Sequence, residues 1–351
     1  MRIAIDLTPL HDRRWTGVEW YAIDLYKALQ TIGYKVIPIF HEKNDIDDNK
    51  NAYIIRKCNR LLLENYSLSK AVRKIKADIT LFPIFPAPID LYYNRPGKIV
   101  SIIHDTAFIQ FAETLKFAAK YYLRPKYRLA MRNSDFIVTI SETAKAQIEQ
   151  YCNIKIVNWG ENISESFLPD NIKVNIDLLK DYSLSPEQYY ISVSTIEPRK
   201  NLKYLLRVIR KELLFSGRKL VLVGRKGWGD DEELKQLITE MSDLIIFTEY
   251  VSIEMLQTLY HYSYAFALLS LDEGFGRTPL EAIACGCKKI IVSDIDIFHE
   301  TVNDSGNYIP LNNEEKAIEL FLNHDWKEVK SGFELPFNVL ERKLKENMIC
   351  I

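Results

Sequence analysis

Apolar runs of strand length alternate with amphipathic stretches of helical length along almost the whole chain. No other feature of the sequence restricts the fold as much. The alternation occurs in two successive sets. The first has strand-like runs at residues 2–7, 35–40, 79–82, 98–103, 136–140 and 155–157, and a long helix at 18–30 carrying Trp20, Ile23, Leu25 and Leu29. The second has strand-like runs at 189–193, 219–223, 244–247, 265–269 and 289–292. Helices are expected from 202 and at about 231–240, 253–262 and 279–285. Strands separated by helices return in the same direction, so the pattern predicts an α/β protein with two parallel sheets. Residues 45–51 are polar and charged and read as a surface loop. Residues 162–185, with Pro169 inside and Pro186 just beyond, read as the linker. Ser141 before Glu142-Thr143 is a helix-capping signal. No internal repeat is visible.

Length agrees with this division, because 351 residues at about 100–200 per domain make two domains. With 47% hydrophobic and 26% charged residues, the chain can bury a core and is not a disordered segment. No apolar run approaches the roughly 18–20 residues of a membrane span. Residues 1–6 lack the long apolar stretch of a signal peptide. The five cysteines form no disulfide framework, and Cys285 and Cys287 have no matching pair or histidine cluster for zinc. A cytoplasmic protein is expected, without a metal or resident cofactor.

Charge is unevenly shared. Residues 1–165 carry 24 Lys and Arg against 18 Asp and Glu, and the rest carry 22 against 29. The basic excess is concentrated at residues 115–132, where Lys116, Lys120, Arg124, Lys126, Arg128 and Arg132 stand with no acid among them. Phe117, Tyr121, Tyr122, Leu123, Tyr127 and Leu129 are interleaved. Such a mixture suits an anionic membrane surface. A pI near 6.6 and the absence of a nucleic-acid motif argue against nucleic acid as the partner.

Four segments carry the chemistry. The strongest is residues 272–281, Asp-Glu-Gly-Phe-Gly-Arg-Thr-Pro-Leu-Glu, between a strand and a helix. Gly274 and Gly276 permit a tight turn with its N–H groups outward. Pro279 suits a first helical position, and the N–H groups and helix start make an anion site fitted to phosphate. Glu273 and Glu281 can flank one ligand from different sides. The second segment, residues 194–201, holds the adjacent cations Arg199 and Lys200 at a strand end, one able to fork onto phosphate oxygens and the other a compact charge. The third is His104-Asp105, where the imidazole can bond a hydroxyl or assist a transition state. The fourth is Gly17, in the loop before the first long helix, where backbone can approach a ligand closely. Asp294-Ile295-Asp296 has metal-binding spacing but is not read as a metal site, because it lies apart from the cation-rich segments.

Taken together, these pieces resemble the retaining GT-B glycosyltransferases of glycosyltransferase family 4. The resemblance rests on Gly17, His104-Asp105, residues 139–142, Glu197-Pro198-Arg199-Lys200-Asn201, Gly224, Tyr250-Val251-Ser252, residues 273–281 and 284–287. It spans about residues 3 to 309. It implies two Rossmann-like domains facing across a cleft: an acceptor-binding domain at 1–168 and a donor-binding domain at 169–335. A C-terminal helix at 336–351 would return to the first domain.

By the same resemblance, Arg199 and Lys200 would hold the diphosphate of a nucleotide sugar. Glu273 would contact the sugar hydroxyls, and Gly274, Phe275, Gly276, Arg277 and Thr278 would present backbone to sugar and phosphates. Glu281 would bind the ribose. Tyr250 and Val251 would line the base pocket within residues 247–251, and His104 would lie near the reacting sugar. Ser194 stands where many relatives have glycine, and the first loop has one glycine where relatives often have two. The implied reaction is retaining transfer of a hexose, with mannose the first guess, to a lipid-linked glycan acceptor in cell-surface polysaccharide synthesis. A nucleotide-sugar 2-epimerase and a non-catalytic nucleotide-sugar binding protein are the alternatives.

Overall fold

Runs such as Ile-Val-Ser-Ile and Leu-Val-Leu-Val are apolar without alternation because parallel strands are covered on both faces. In the computed structural model, which describes residues 1–10, 16–42, 51–56, 58–111, 119–225 and 231–347, they build two sheets. The chain divides into two compact units, one of Met1–Asn162 with Asn338–Ile351 and the other of Ile163–Phe337.

The first unit contains β1 (Arg2–Asp6), β2 (Lys35–His41), β3 (Tyr53–Ile55), β4 (Ile79–Phe82), β5 (Lys98–Ile102), β6 (Phe136–Thr139) and β7 (Ile156–Asn158). All are parallel, in the order β3-β2-β1-β4-β5-β6-β7. The helix Gly17–Thr31 connects β1 to β2 and buries Tyr21, Ile23, Leu25 and Leu29. Its start is fixed by a capping box, in which the Glu19 carboxylate accepts the Thr16 N–H at 2.9 Å. Gly17 is thus the first helical residue, not part of a preceding loop.

The second unit contains β8 (Tyr189–Val193), β9 (Lys219–Val223), β10 (Ile245–Glu249), β11 (Ala265–Leu268), β12 (Ile290–Ser293) and β13 (Gly306–Ile309). They are parallel in the order β10-β9-β8-β11-β12-β13. One face is packed by Leu205, Leu206, Ile209 and Phe321, the other by Leu259, Tyr260, Leu280 and Phe298. In each sheet the first strand of the unit lies beside its fourth, β1 against β4 and β8 against β11. At that reversal of strand order the loops diverge and leave room for a ligand at the carboxyl ends.

The structure departs from the sequence reading at several points. The units divide at Asn162/Ile163 and Phe337/Asn338, not at 168 and 335. Residues 163–185 are no free linker. Ile163, Phe167, Leu179 and Leu184 are buried in the second unit's core, and the Lys173 and Asn175 N–H groups donate to Gln257 Oε1 and Thr258 Oγ1. Strand β3 is only three residues long, and β13 is half Gly and Asn, so neither stood out. Residues 43–50, 112–118 and 348–351 lie outside the described residues, and with them most of the expected 45–51 loop, Lys116, Phe117 and the end of the last helix.

Candidate active site

The carboxyl ends of β8 and β11, neighbours in the second sheet, carry the two strongest sequence signals. After β8 the chain makes a short 3-10 turn, Pro198–Lys200. Asn201, at φ +53, then turns it into the helix Leu202–Ser216. After β11 it runs through residues 269–276 into the helix Arg277–Ala284. A backbone bond from Leu271 N–H to Arg199 carbonyl, 2.8 Å, ties the two loops together.

That tie brings the charged groups into contact. Lys200 Nζ lies 2.6 and 2.8 Å from the two carboxylate oxygens of Glu273. Arg199 reaches Glu273 Oε2 at 3.4 Å, donates to the Asp272 carbonyl at 3.0 Å, and lies 3.1 Å from Glu197. Ser270 Oγ donates to Glu273 Oε1 at 2.7 Å, and Ser293 Oγ donates to the Ser270 carbonyl at 2.6 Å. The Glu273 side chain is 7% exposed. Burial alone would raise its pKa, but Lys200 and Arg199 outweigh burial and hold the carboxyl below its usual range. With Glu197 also on Arg199, two cations and two carboxylates make up the cluster.

The helix Arg277–Ala284 starts beside this cluster. Its N-cap, Gly276, has φ +78, and a Cβ there would meet the Phe298 ring at 2.8 Å, so glycine is required on both counts. Pro279 is the third helical residue, not the first. It is harmless there because the first four N–H groups of a helix have no intrahelical acceptor. No acid occupies the first turn, so the helix itself carries no charge against an anion at its start. Glu281, one turn in, accepts from Tyr260 Oη at 3.4 Å and lies 4.0 Å from Arg277. Burial raises its pKa, which Arg277 partly offsets. Gly274, Phe275 and Thr278 are half-buried along the same segment.

The remaining second-unit residues lie along the same edge. Ser194 and Gly224 follow β8 and β9, and the Ser194 N–H donates to the Val223 carbonyl at 3.0 Å. Tyr250 is exposed and Val251 packs on the core after β10. Gly17 and His104 belong to the first unit. There His104 Nε2 is bonded to the Pro83 carbonyl at 2.8 Å, and the ring stands edge-on to Tyr21. The structure adds Ser270, Ser293 and Tyr260, which the sequence reading did not single out. Only the position of Ser270, three residues before Glu273 at a strand end, gave a signal. Asp294 is bonded to His299 at 2.7 Å, and no metal-holding group of His, Cys, Asp or Glu occurs among the described residues.

One basic residue is not where the sequence reading put it. Lys126 is 5% exposed and turned inward, 3.2 Å from Glu64 and 2.7 Å from Tyr122 Oη. It therefore cannot face an anionic surface, whereas Arg128 and Arg132 are exposed.

Two family models match this chain. The model for glycosyltransferase family 4 matches residues 15–158, and that for group 1 glycosyl transferases matches residues 179–323, so nearly every element just described falls within one or the other. The chain belongs to the group 1, family 4 glycosyltransferases. It is similar to the O-antigen chain mannosyltransferase B of Escherichia coli, 27% identical over 321 residues, covering 83% of this chain and 82% of that one. Its fold is that of WaaG, a glycosyltransferase involved in lipopolysaccharide biosynthesis, with TM-score 0.69 at 12% identity over 92% of this chain and 90% of that one. Anabaena HepE, solved with UDP and glucose, superposes with TM-score 0.64 at 16% identity over 92% and 89%. The glycosyltransferase thus has the GT-B architecture of two parallel-sheet α/β domains.

Proposed function

We propose that this glycosyltransferase moves mannose from a nucleoside diphosphate sugar to a growing O-antigen or related cell-surface glycan on a lipid carrier. Anomeric configuration is retained and no metal is used. The observation that carries the reading is the Arg199–Lys200–Glu273 cluster at the start of the helix Arg277–Ala284. The names of the mannosyltransferase relatives support the sugar and the pathway.

In the reaction the bond from the anomeric carbon to the diphosphate oxygen breaks, and its electron pair leaves with the diphosphate. The acceptor hydroxyl oxygen bonds the same face of that carbon, and its proton passes to the departing phosphate oxygen. Arg199, Lys200 and the helix N-terminus neutralise the charge that builds there, which is the work of a divalent ion in enzymes that use one. Glu273, kept ionised by the two cations, accepts from the sugar hydroxyls. Glu281 bonds the ribose. Removing one such preorganised group costs about 2.7–4 kcal/mol in other enzymes. Arg199→Ala or Lys200→Ala should therefore lower turnover roughly 100-fold or more. Steady-state transfer assays check this, and turnover within threefold of the parent removes the role.

We also propose that the first unit touches the membrane that holds the lipid-linked acceptor. Leu61, Leu62 and Tyr66 are exposed, as is Tyr121. Asn65 Nδ2 bonds Tyr122 Oη at 3.0 Å, so the two segments meet. This apolar group, with Arg128 and Arg132 exposed nearby in sequence, has the composition of an interfacial surface. Replacing Leu61, Leu62 and Tyr66 by Ser should abolish co-sedimentation with anionic vesicles, and unchanged sedimentation refutes the contact.

A further inference from the structure

We infer that Glu197 competes with the donor for Arg199: its carboxylate holds the guanidinium before the donor binds and yields it to the diphosphate. This rests on the donor reading above. Glu197 precedes the turn Pro198–Lys200 in extended conformation, with φ −137 and ψ 158, and its carbonyl accepts the Lys200 N–H at 3.0 Å. Pro198 fixes the backbone between the two side chains. Glu197 and Arg199, two residues apart, therefore meet on one side of the turn. Glu197 Oε1 lies 3.2 Å from Arg199 Nε and 3.1 Å from Nη2.

Neither edge of the guanidinium is open to a phosphate without a rival. Arginine grips phosphate with two parallel N–H groups, along Nε and Nη2 or along Nη1 and Nη2. Glu197 covers the first edge. Nη1, which the second edge needs, donates to the Asp272 carbonyl at 3.0 Å and to Glu273 at 3.4 Å. A two-point grip therefore requires one carboxylate to withdraw. Charge requires the same, because Glu197 and Glu273 stand against Arg199 and Lys200, and a diphosphate brings further negative charge.

Solvation decides which carboxylate yields. Glu273 is 7% exposed, and Lys200 Nζ and Ser270 Oγ hold it at 2.6 and 2.7 Å. Glu197 is 40% exposed and its contacts are longer. A buried charge that loses its partner costs far more than an exposed one, which water takes up. Glu197 withdraws, and Glu273 stays on Lys200. The consequence is a brake on affinity. Part of the interaction energy of the diphosphate goes into displacing Glu197, and the returning carboxylate helps to expel the product.

Calorimetric titration of the full-length protein with inorganic pyrophosphate, GDP and UDP tests this. Glu197→Gln keeps the shape of the side chain and an acceptor oxygen, and removes the charge. It should bind pyrophosphate, and whichever nucleotide the parent binds more tightly, at least about threefold more tightly than the parent does. In steady-state transfer the donor KM should fall by a similar factor with kcat no higher than the parent's, because a contact made alike before and after the bond breaks does not speed its breaking. Glu315→Gln, at an exposed acid of the helix Glu314–Asn323, controls for net charge and should keep the parental affinities. In the Arg199→Ala background Glu197→Gln should change nothing, since the competition acts through the guanidinium. Unchanged or weaker pyrophosphate binding by Glu197→Gln overturns the inference, and weaker binding assigns Glu197 to holding Arg199 in place. An equal gain in the Arg199→Ala background also overturns it, because the effect is then general repulsion. A parent that binds none of the three ligands overturns the donor reading, and this inference with it.

Discussion

Glu273 keeps its charge out of water because two cations and a hydroxyl stand against it, and that arrangement has a consequence for acid stability. Its pKa is lowered in the folded protein relative to the ordinary 4.5. The unfolded chain therefore binds more protons in that pH range, and stability rises with pH through it. The contribution is complete above about pH 4.5 and is lost as pH falls through the lower folded value. In Glu273→Gln this acid-side loss should be smaller than in the parent, seen as a flatter melting temperature below about pH 4.5. At pH 7 the variant should be less stable, by about 2 kcal/mol or more, because Lys200 loses the carboxylate it is bonded to. Equal acid-side slopes in thermal melts of the two proteins would show that the pairing adds nothing. The two cations and the carboxylate were all legible as residues. Their pairing was not, because the residues are more than seventy positions apart and meet only through the β8 to β11 neighbourhood.

Among the elements, the strands were the most legible, because continuous β-branched runs have few other uses. Strands β8 and β9 lie where the apolar pattern put them, and the Asp231 and Ser252 caps sit at the helix starts that their residue types favour. The helix after the Glu-Gly loop starts two residues before Pro279. A proline signal marks the first turn rather than one position in it. Gly224 shows what an element's end can demand. Its φ is +137 and its Cα hydrogen faces the Ser194 carbonyl, so Gly224→Ala should destabilise the second unit by about 2 kcal/mol or more. It should also weaken nucleotide binding. Urea unfolding checks the first effect and titration the second. An alanine variant with a parental midpoint would show that the two loops part without cost.

For the whole molecule, the chain leaves the first unit at Asn162, builds the second, and returns at Asn338. The return is anchored where the exit lies. Leu340 N–H donates to Asn162 Oδ1 at 3.1 Å, and Asn162 Nδ2 donates to Glu341 at 3.1 Å. The helix Val339–Asn347 then packs on the helix Gly17–Thr31, with Leu340 and Leu344 fully buried. Residues at the far end of the sequence therefore complete the core of the first unit. Leu344→Ala should cost about 2–5 kcal/mol of that unit's stability and leave the second unit's nucleotide affinity unchanged. Differential scanning calorimetry with and without nucleotide checks both outcomes, and an unshifted first transition would show that the helix is not part of that core.

The order of eleven of the thirteen strands, the two parallel sheets and the identity of the charged groups were determined by the sequence alone, because periodicity, turn residues and charge act within a few neighbouring positions. Tertiary structure decided what depends on distant segments meeting. It joined Glu273 to Lys200, turned Lys126 inward to Glu64, and moved residues 163–185 from a linker into a core. In each case the energy comes from contacts that local sequence does not encode, namely burial against another element and the pairing of charges that burial then requires.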